Sequence, residues 1–548
     1  MLALAFLLTL AYALAADKPH VLLLVIDDYG WANAGWHRAP GTPGADEVVT
    51  PNLNALVRSG VELNRSYIYQ FCSPSRSALQ SGRNPVHVNL YNQGIPLHNP
   101  QNIESGGMGM ARNMTGLGKK MRAGGYATHQ FGKWGIGCAS PEHTPRGRGY
   151  DTSFGYFDHT LDYWTEKAYE QCPGFQTTDL WASDAPAYGV NGSFSCSQAN
   201  QSCAFLDDLI VERLLATIAA HDPAQPLFLY WAPHATHSPL EVPRAYYDRF
   251  PFVSNASGPS NFRRLYDALT NYIDEAVGNV TRALRAKGMY DNLLVIMTTD
   301  NGGAIDPSSG PATGANGANN YPLRGGKVSN WEGGIRGNAF VSGGFVPPAA
   351  RGTVREGLVG IEDWYPTLCG LAGVPVHDEA AAAAGLPPVD GVDQWPYISG
   401  ANATPPRSEW LIGAPYPIPG PGGGMGNGTV QGILSPPWKY VIGNMTRSVW
   451  LGPVYPNAST DWDAGAMFDC GDPLQPSAAR PGCLFDVFSD PEERRDVARD
   501  NPAVVQALRA RVAEAARHVF DPDRGVEDSL ACDTALHTWH GFWGPFTP

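Results

Sequence analysis

The sequence predicts an α/β sandwich on a large, mainly parallel sheet, followed by a smaller α+β domain with an antiparallel sheet. The apolar runs His20–Ile26, Pro226–Trp231 and Asn292–Thr299 have strand length and read as strands buried on both faces. Helical periodicity over Asp274–Lys287, with Gly288 as its C-terminal stop, alternates with them. Past a Pro/Gly-rich loop from Pro415 to Gly428 come the short strand-like pieces Trp438–Ile442 and Leu484–Phe488, then an amphipathic helix over Asn501–His518.

From the N-terminus, Met1–Ala15 is Leu/Ala-rich and uncharged, with Ala13-Leu14-Ala15 as a small-residue cleavage site before Ala16. It reads as a secretory signal peptide, although it lacks a basic leading segment. No other run is long and apolar enough to span a bilayer, so an exported, soluble protein is expected. At 548 residues the chain exceeds one ordinary domain. The expected division is a signal over 1–15, a large catalytic domain over 16–425 and a smaller domain over 426–548. The run Ala380–Ala384 reads as a surface insertion, and no internal repeat is visible.

A hydrophobic content of 43% and 15 Trp allow a large core. The net charge of −14, with a pI near 5.4, argues against nucleic acid or an anionic membrane as partner. An anionic substrate would need Arg, Lys and His concentrated in one pocket, and an acidic compartment would help by protonating histidines. Nine cysteines is an odd number for a secreted chain. Setting Cys72 aside leaves the others free to pair: Cys470 with Cys483, and two of Cys172, Cys196 and Cys203, are plausible by proximity. About ten N-x-S/T sequons, among them Asn64, Asn113, Asn191, Asn255, Asn402 and Asn444, suit a glycoprotein surface.

Two constellations carry chemistry. The first is Phe71-Cys72-Ser73-Pro74-Ser75-Arg76, running on to Gly82-Arg83. Ser73 suits an N-cap, Pro74 the first helical position and Gly82 the helix stop, which places residue 72 beside the open N–H groups of a helix start, where anions bind. The plain alternative is a buried or disulfide-bonded cysteine ahead of an ordinary helix. The second is Asp27-Asp28 and Asp300-Asn301, each at the end of an apolar run. In open α/β sheets ligands gather beyond the carboxyl ends of strands, and an all-oxygen set suits Ca²⁺ or, as second choice, Mg²⁺. A turn at Tyr29-Gly30 is expected to let both aspartates reach one ion. The plain alternative is a pair of turn formers.

The C-x-P-S-R pattern at Cys72–Arg76 resembles the signature of the sulfatase family, and the likeness runs over nearly the whole mature chain. Supporting stretches are Arg148–Tyr156, Asp274–Thr281, Trp331–Gly337 and Asp490–Asp496, which look most like the branch of arylsulfatase B, the N-acetylgalactosamine-4-sulfatases. The resemblance implies an alkaline-phosphatase-like sandwich and the hydrolysis of sulfate esters, on a sulfated carbohydrate or on model aryl sulfates. It implies conversion of Cys72 to formylglycine by a dedicated generating enzyme during secretion, and Ca²⁺ held by Asp27, Asp28, Asp300, Asn301 and the modified residue 72. Arg76 would hold the aldehyde hydrate, Lys133 and Lys327 would contact sulfate oxygens, and His237 would stand near the leaving oxygen. One hydroxyl of the hydrate attacks sulfur and the other later expels sulfate, a release that a plain serine could not provide. A secreted, lysosomal or vacuolar location follows.

One departure stands out. Where the family has G-K-W-H-x-G, this chain reads Gly132-Lys133-Trp134-Gly135-Ile136-Gly137, so a histidine that touches the formylglycine is missing. His129, His143 or water are the candidates for its place. Two rival readings remain: a phosphoester or phosphonate hydrolase of the same superfold, and a non-catalytic protein that binds sulfated glycans.

Overall fold

The computed structural model describes residues 18–168, 172–190, 203–253, 259–305, 317–413, 429–454, 466–471 and 480–548. The signal segment, Cys196, Asn191, Asn255 and the loop Pro415–Gly428 lie outside them. In chain order the main elements are β1 (His20–Ile26), β2 (Val61–Leu63), α1 (Cys72–Ser81), β3 (Ala127–Lys133), β4 (Thr152–Tyr156), β5 (Trp181–Ala182), β6 (Ala185–Pro186) and α2 (Leu206–Ala220). They continue with β7 (Leu227–Ala232), α3 (Pro259–Ala286), β8 (Leu293–Thr299), β9 (Phe340–Ser342), β10 (Thr353–Arg355), β11 (Trp410–Gly413), β12 (Val430–Ser435), β13 (Trp438–Val441), β14 (Cys483–Asp486) and α4 (Pro502–Ala515).

A 10-stranded sheet runs in the order β10-β2-β9-β8-β1-β7-β3-β4-β5-β6. Its centre, β8-β1-β7-β3-β4, is parallel throughout. β9 runs antiparallel to β8 and to β2, and β5 antiparallel to β4. The unbroken apolar run of β1 has a direct cause. Val21, Leu23 and Val25 enter one core with Leu79 of α1, Trp364 and Leu368, while Leu22, Leu24 and Ile26 enter the opposite core with Leu214 of α2 and Leu269 of α3. With helices on both faces, neither side of the strand meets water.

Two corrections to the sequence expectations arise at this level. The helix expected over Asp274–Lys287 begins much earlier, at Pro259. Its upstream turns carry Leu265, Leu269, Tyr272 and Ile273 on the buried face, an apolar spacing interrupted by the buried polar residues Asp267, Thr270 and Asn271. Cys172 pairs with the distant Cys532, Cys203 is also disulfide-bonded, and Cys470–Cys483 forms as expected. Cys138 and Cys369 stay as buried thiols, so not every cysteine beyond Cys72 pairs. The alanine run is a short helix, Glu379–Ala383, whose N-cap Asp378 also takes a 3.0 Å ion pair from buried Arg83. The run is mostly exposed, as a surface insertion is, and its N-cap ties it to the segment that follows α1.

The second sheet, β11-β12-β13-β14, is antiparallel and is covered by α4, which buries Val505, Leu508 and Val512 against Ile433, Tyr440 and Leu484. It is joined to the short helix Glu332–Ile335 and to Tyr67 by a buried charge cluster. Lys439 of β13 places Nζ 3.1 Å from Glu332 Oε1 and 2.8 Å from Glu493 Oε1, with all three side chains sealed from solvent. Tyr67 donates to Glu332 Oε2 at 2.9 Å. Lys439→Met would leave two buried carboxylates without their cation, and a loss of about 3–5 kcal/mol is expected. Urea unfolding measures it; a change below about 1 kcal/mol would show that the cluster is not the joint described.

The last residues of the chain return to the large sheet. Trp543 is fully buried beside Trp181, whose indole N–H donates to the Trp543 carbonyl, and Phe546 donates its N–H to Ala139 O at 2.9 Å. No helix among the described residues is long and apolar enough to cross a membrane.

Candidate active site

Strand register brings the acidic pairs together. Ile26 lies opposite Thr299, so Asp27 and Asp300 leave the carboxyl edge side by side. Gly132 lies opposite Ala232, which brings Lys133 and the segment His234–His237 to the same edge. The turn after β1 is made by Asp28, not by Tyr29-Gly30: Asp28 has φ 54, whereas Gly30 has an ordinary φ of −66. Aspartate tolerates the left-handed region better than most side chains. The conformation is held by Tyr266, whose hydroxyl donates to Asp28 O at 2.8 Å.

Helix α1 starts at Cys72 itself, with Phe71 as the residue before it and no side-chain cap. Ser73 is not the cap because its hydroxyl is used elsewhere, donating to Gly135 O, while its N–H donates to Asn92 Oδ1 at 3.2 Å. Pro74 falls inside the first turn, where N–H groups have no intrahelical acceptor, so its missing donor costs nothing. Gly82 closes the helix at φ 70, as expected.

All nine residues singled out in the sequence meet in this place. Lys133 Nζ is 2.6 Å from Asp27 Oδ2. Arg76, one turn after Cys72, donates Nε–H to Asp300 Oδ2 at 2.9 Å and lies 3.5 Å from Asp27 Oδ2. Lys327 Nζ is 2.7 Å from Asp28 Oδ1 and 3.0 Å from His237 Nε2. Asn301 donates Nδ2–H to Asp28 Oδ1 at 2.7 Å. Cys72 is fully buried, its Sγ 3.6 Å from Asp27 Oδ1.

The electrostatics follow from burial and charge. Burial pushes the Cys72 thiol up to about 12, an effect that Lys133 and Lys327 only partly oppose, so the sulfur carries a proton at any working pH. Burial would also raise Asp27, but the charges of Lys133 and Arg76 outweigh it and hold this carboxyl well below the usual range. Burial and then the Lys327 charge depress His237 to about 4. Its Nδ1–H donates to Ser238 O at 2.8 Å, which leaves Nε2 as an acceptor facing Lys327. The loop carrying His237 is held by Asp207 at the start of α2, which accepts N–H groups of His234 and Ala235 at 2.9 Å each. His234 itself accepts the N–H of Leu161 at 3.2 Å and packs on Tyr163, a structural position.

The donor set fits a hard divalent cation. Ligand atoms of Asp27, Asp28, Cys72 and His237 lie within 4.8 Å of one another, and Asn301 Oδ1 is buried with no hydrogen-bond partner among the described residues. The three carboxylates Asp27, Asp28 and Asp300 face the three permanent cations Arg76, Lys133 and Lys327. A divalent ion added to this near-neutral pocket would turn it positive, which an anionic ester requires.

Of the two histidines offered for Gly135's place, one is distant and the other is engaged elsewhere. His129 pairs in register with Thr152, four residues before Lys133 and so about 13 Å back along β3 at about 3.3 Å per residue. His143 is engaged with Ser140 Oγ at 2.9 Å. The sequence reading missed His159, just past the end of β4, whose Nδ1 lies 3.5 Å from Ser73 Oγ. Its signal was position: a histidine closely following a strand of the parallel centre.

Comparison with known proteins agrees with this geometry. The Sulfatase family model matches residues 19–374. Arylsulfatase J of Mus musculus is 32% identical, over 97% of this chain and 80% of its own length. N-acetylgalactosamine-6-sulfatase of Homo sapiens is 30% identical, over 68% of this chain and 66% of its own length. Among solved structures, Ps i-CgsB in complex with a neocarrahexaose superposes with a TM-score of 0.68 at 23% identity, covering 95% of this chain and 97% of that one, a likeness of fold. The strand-end acidic pairs, the buried Cys72 and the family match over most of the chain lead to one conclusion: this protein belongs to the sulfatase family of sulfuric ester hydrolases.

Proposed function

We propose that this protein hydrolyses sulfate esters of a carbohydrate, with aryl sulfates as model substrates, after Cys72 is converted to formylglycine. The observation that carries the reading is the setting of Cys72, a protonated, solvent-free sulfur ringed by carboxylates and cations. Such a place is unsuited to thiol chemistry and suited to an oxygen nucleophile beside a cation. Asp27, Asp28, Asp300 and Asn301 would hold Ca²⁺. When present, the aldehyde hydrate supplies an oxygen nucleophile that can later release sulfate, and the cation favours its deprotonation.

The other groups belong to the chain. Arg76, wedged between Asp300 and Asp27, fixes the residue 72 end of the pocket. Lys133 and Lys327 offer ammonium groups to the sulfuryl oxygens as charge builds there. Lys327 Nζ and His237 Nε2 share one proton across 3.0 Å, placed for transfer to the leaving oxygen. The carbohydrate assignment is supported by the N-acetylgalactosamine-6-sulfatase relative and by the neighbour solved with a neocarrahexaose. Passage through the secretory route, to the exterior or to a lysosome or vacuole, is supported by the Cys172–Cys532 and Cys470–Cys483 disulfides.

Mass spectrometry of the peptide containing residue 72, from natively secreted protein, tests the reading: conversion replaces sulfur by oxygen, and an intact thiol in protein that still cleaves its ester would sink it. Lys133→Ala and Lys327→Ala are each expected to lower kcat by about 10²- to 10³-fold with the fold retained. Near-normal turnover in either would remove that lysine from the sulfate grip.

A further inference from the structure

His159 is a largely buried imidazole that the chemistry above leaves unused. It leaves the carboxyl edge of the sheet three residues past β4, next to the strand that delivers Lys133. The segment is tightly held: Trp134 and Gly135 donate N–H groups to Tyr156 O and Phe157 O at 2.9 and 3.1 Å, and Asp179 accepts the N–H groups of Phe157 and Asp158. The backbone N–H of His159 donates to Asp158 Oδ1 at 2.8 Å.

The ring's tautomer follows from its partners. Nε2 lies 2.7 Å from Gln93 O, a pure acceptor, so Nε2 carries the hydrogen and Nδ1 presents a lone pair. That lone pair faces Ser73 Oγ at 3.5 Å, but the Ser73 hydroxyl already gives its proton to Gly135 O. The Nδ1 acceptor therefore stands at the first turn of α1, against Ser73, the residue next to Cys72, without a strong donor among the described residues. Burial, then the charge of Lys133, depresses the ring to about 3 and keeps it neutral. Position 135 offers no side chain of its own: Gly135 has φ 69, and a Cβ there would lie 3.1 Å from Arg76 Cδ. An imidazole built at 135 would press on the arginine; one arriving from β4 does not.

We propose that His159 accepts, at Nδ1, a hydrogen bond from the hydroxyl borne by residue 72 and so orients it. This rests on the function proposed above. A bare lone pair repels sulfuryl oxygens, which are acceptors, and calls for a hydroxyl donor.

Two measurements test it. In secreted protein with conversion at residue 72 verified by mass, His159→Ala is expected to lower kcat by about 10²-fold with KM unchanged, and free imidazole to restore part of the loss. His159→Gln, which retains a polar side chain, serves if the alanine variant fails to fold. The second measurement needs no turnover: ring ¹⁵N resonances of His159 are compared in Cys72→Ser and Cys72→Ala proteins, and the Nδ1 signal is expected to shift only where residue 72 has a hydroxyl. Unchanged kcat, a rise in KM alone pointing to a substrate hydroxyl, or identical Nδ1 signals in the two proteins would each overturn the proposal. If converted wild-type protein hydrolyses no sulfate ester, the proposed function fails, and the resonance comparison still decides His159.

Discussion

Cys72→Ala is expected to lower turnover of any sulfate ester by more than about 10⁴-fold, while leaving the unfolding midpoint close to that of the parent. The side chain is fully buried but small, and its polar contact among the described residues is the 3.6 Å approach to Asp27 Oδ1. Removing it takes away the proposed nucleophile and little packing. Cys72→Ser gives a sharper outcome. A serine hydroxyl in the same field of Lys133, Lys327 and Arg76 can attack sulfur, but the resulting ester has no second hydroxyl to expel sulfate. The expected record is one equivalent of alcohol released per enzyme, then arrest, with the mass of a sulfate group retained on the peptide that carries position 72. Sustained multiple turnover by the serine variant would show that residue 72 acts without the carbonyl chemistry.

His237→Ala is expected to separate substrates by their leaving groups. On the proposed function, its Nε2 and Lys327 Nζ, 3.0 Å apart, hold the proton meant for the departing oxygen. A sugar alkoxide cannot leave without that proton, so kcat on a sulfated sugar should fall by about 10²- to 10⁴-fold. A nitrophenolate leaves unaided, and its sulfate ester should lose far less. The ratio of kcat/KM values for the two classes is the measurement. Equal losses on both would place His237 in binding or folding rather than in proton transfer. Because Lys327 also loses its neighbour in this variant, the Lys327→Ala comparison belongs beside it.

The parallel centre of the fold was legible because β1 and β8 are buried along their whole length and almost wholly apolar, a pattern that burial on both faces explains. The acidic pairs were legible because each ends such a run. What escaped were features decided by tertiary partners. Ser73 has the chemistry of a helix cap, yet Gly135 O claims its hydroxyl. The turn after β1 falls on Asp28 because Tyr266, more than 200 residues on, holds its carbonyl. Cys172 finds Cys532 across a separation of 360 residues, which no local spacing announces. His159 lies outside every motif, and only the register of β4 against β3 brings it to Ser73.

The return of the C-terminal tail has a bearing on when residue 72 can be altered. Trp543 and Phe546 fill the same core that α1 borders, and Cys532 is stitched to Cys172. A ribosome must reach Cys532, Trp543 and Phe546 before that interior can shut, whereas the cysteine emerges far earlier and ends up with no exposed surface. If residue 72 is converted during secretion as proposed, the interval between its emergence and that closure is when the reaction can reach it.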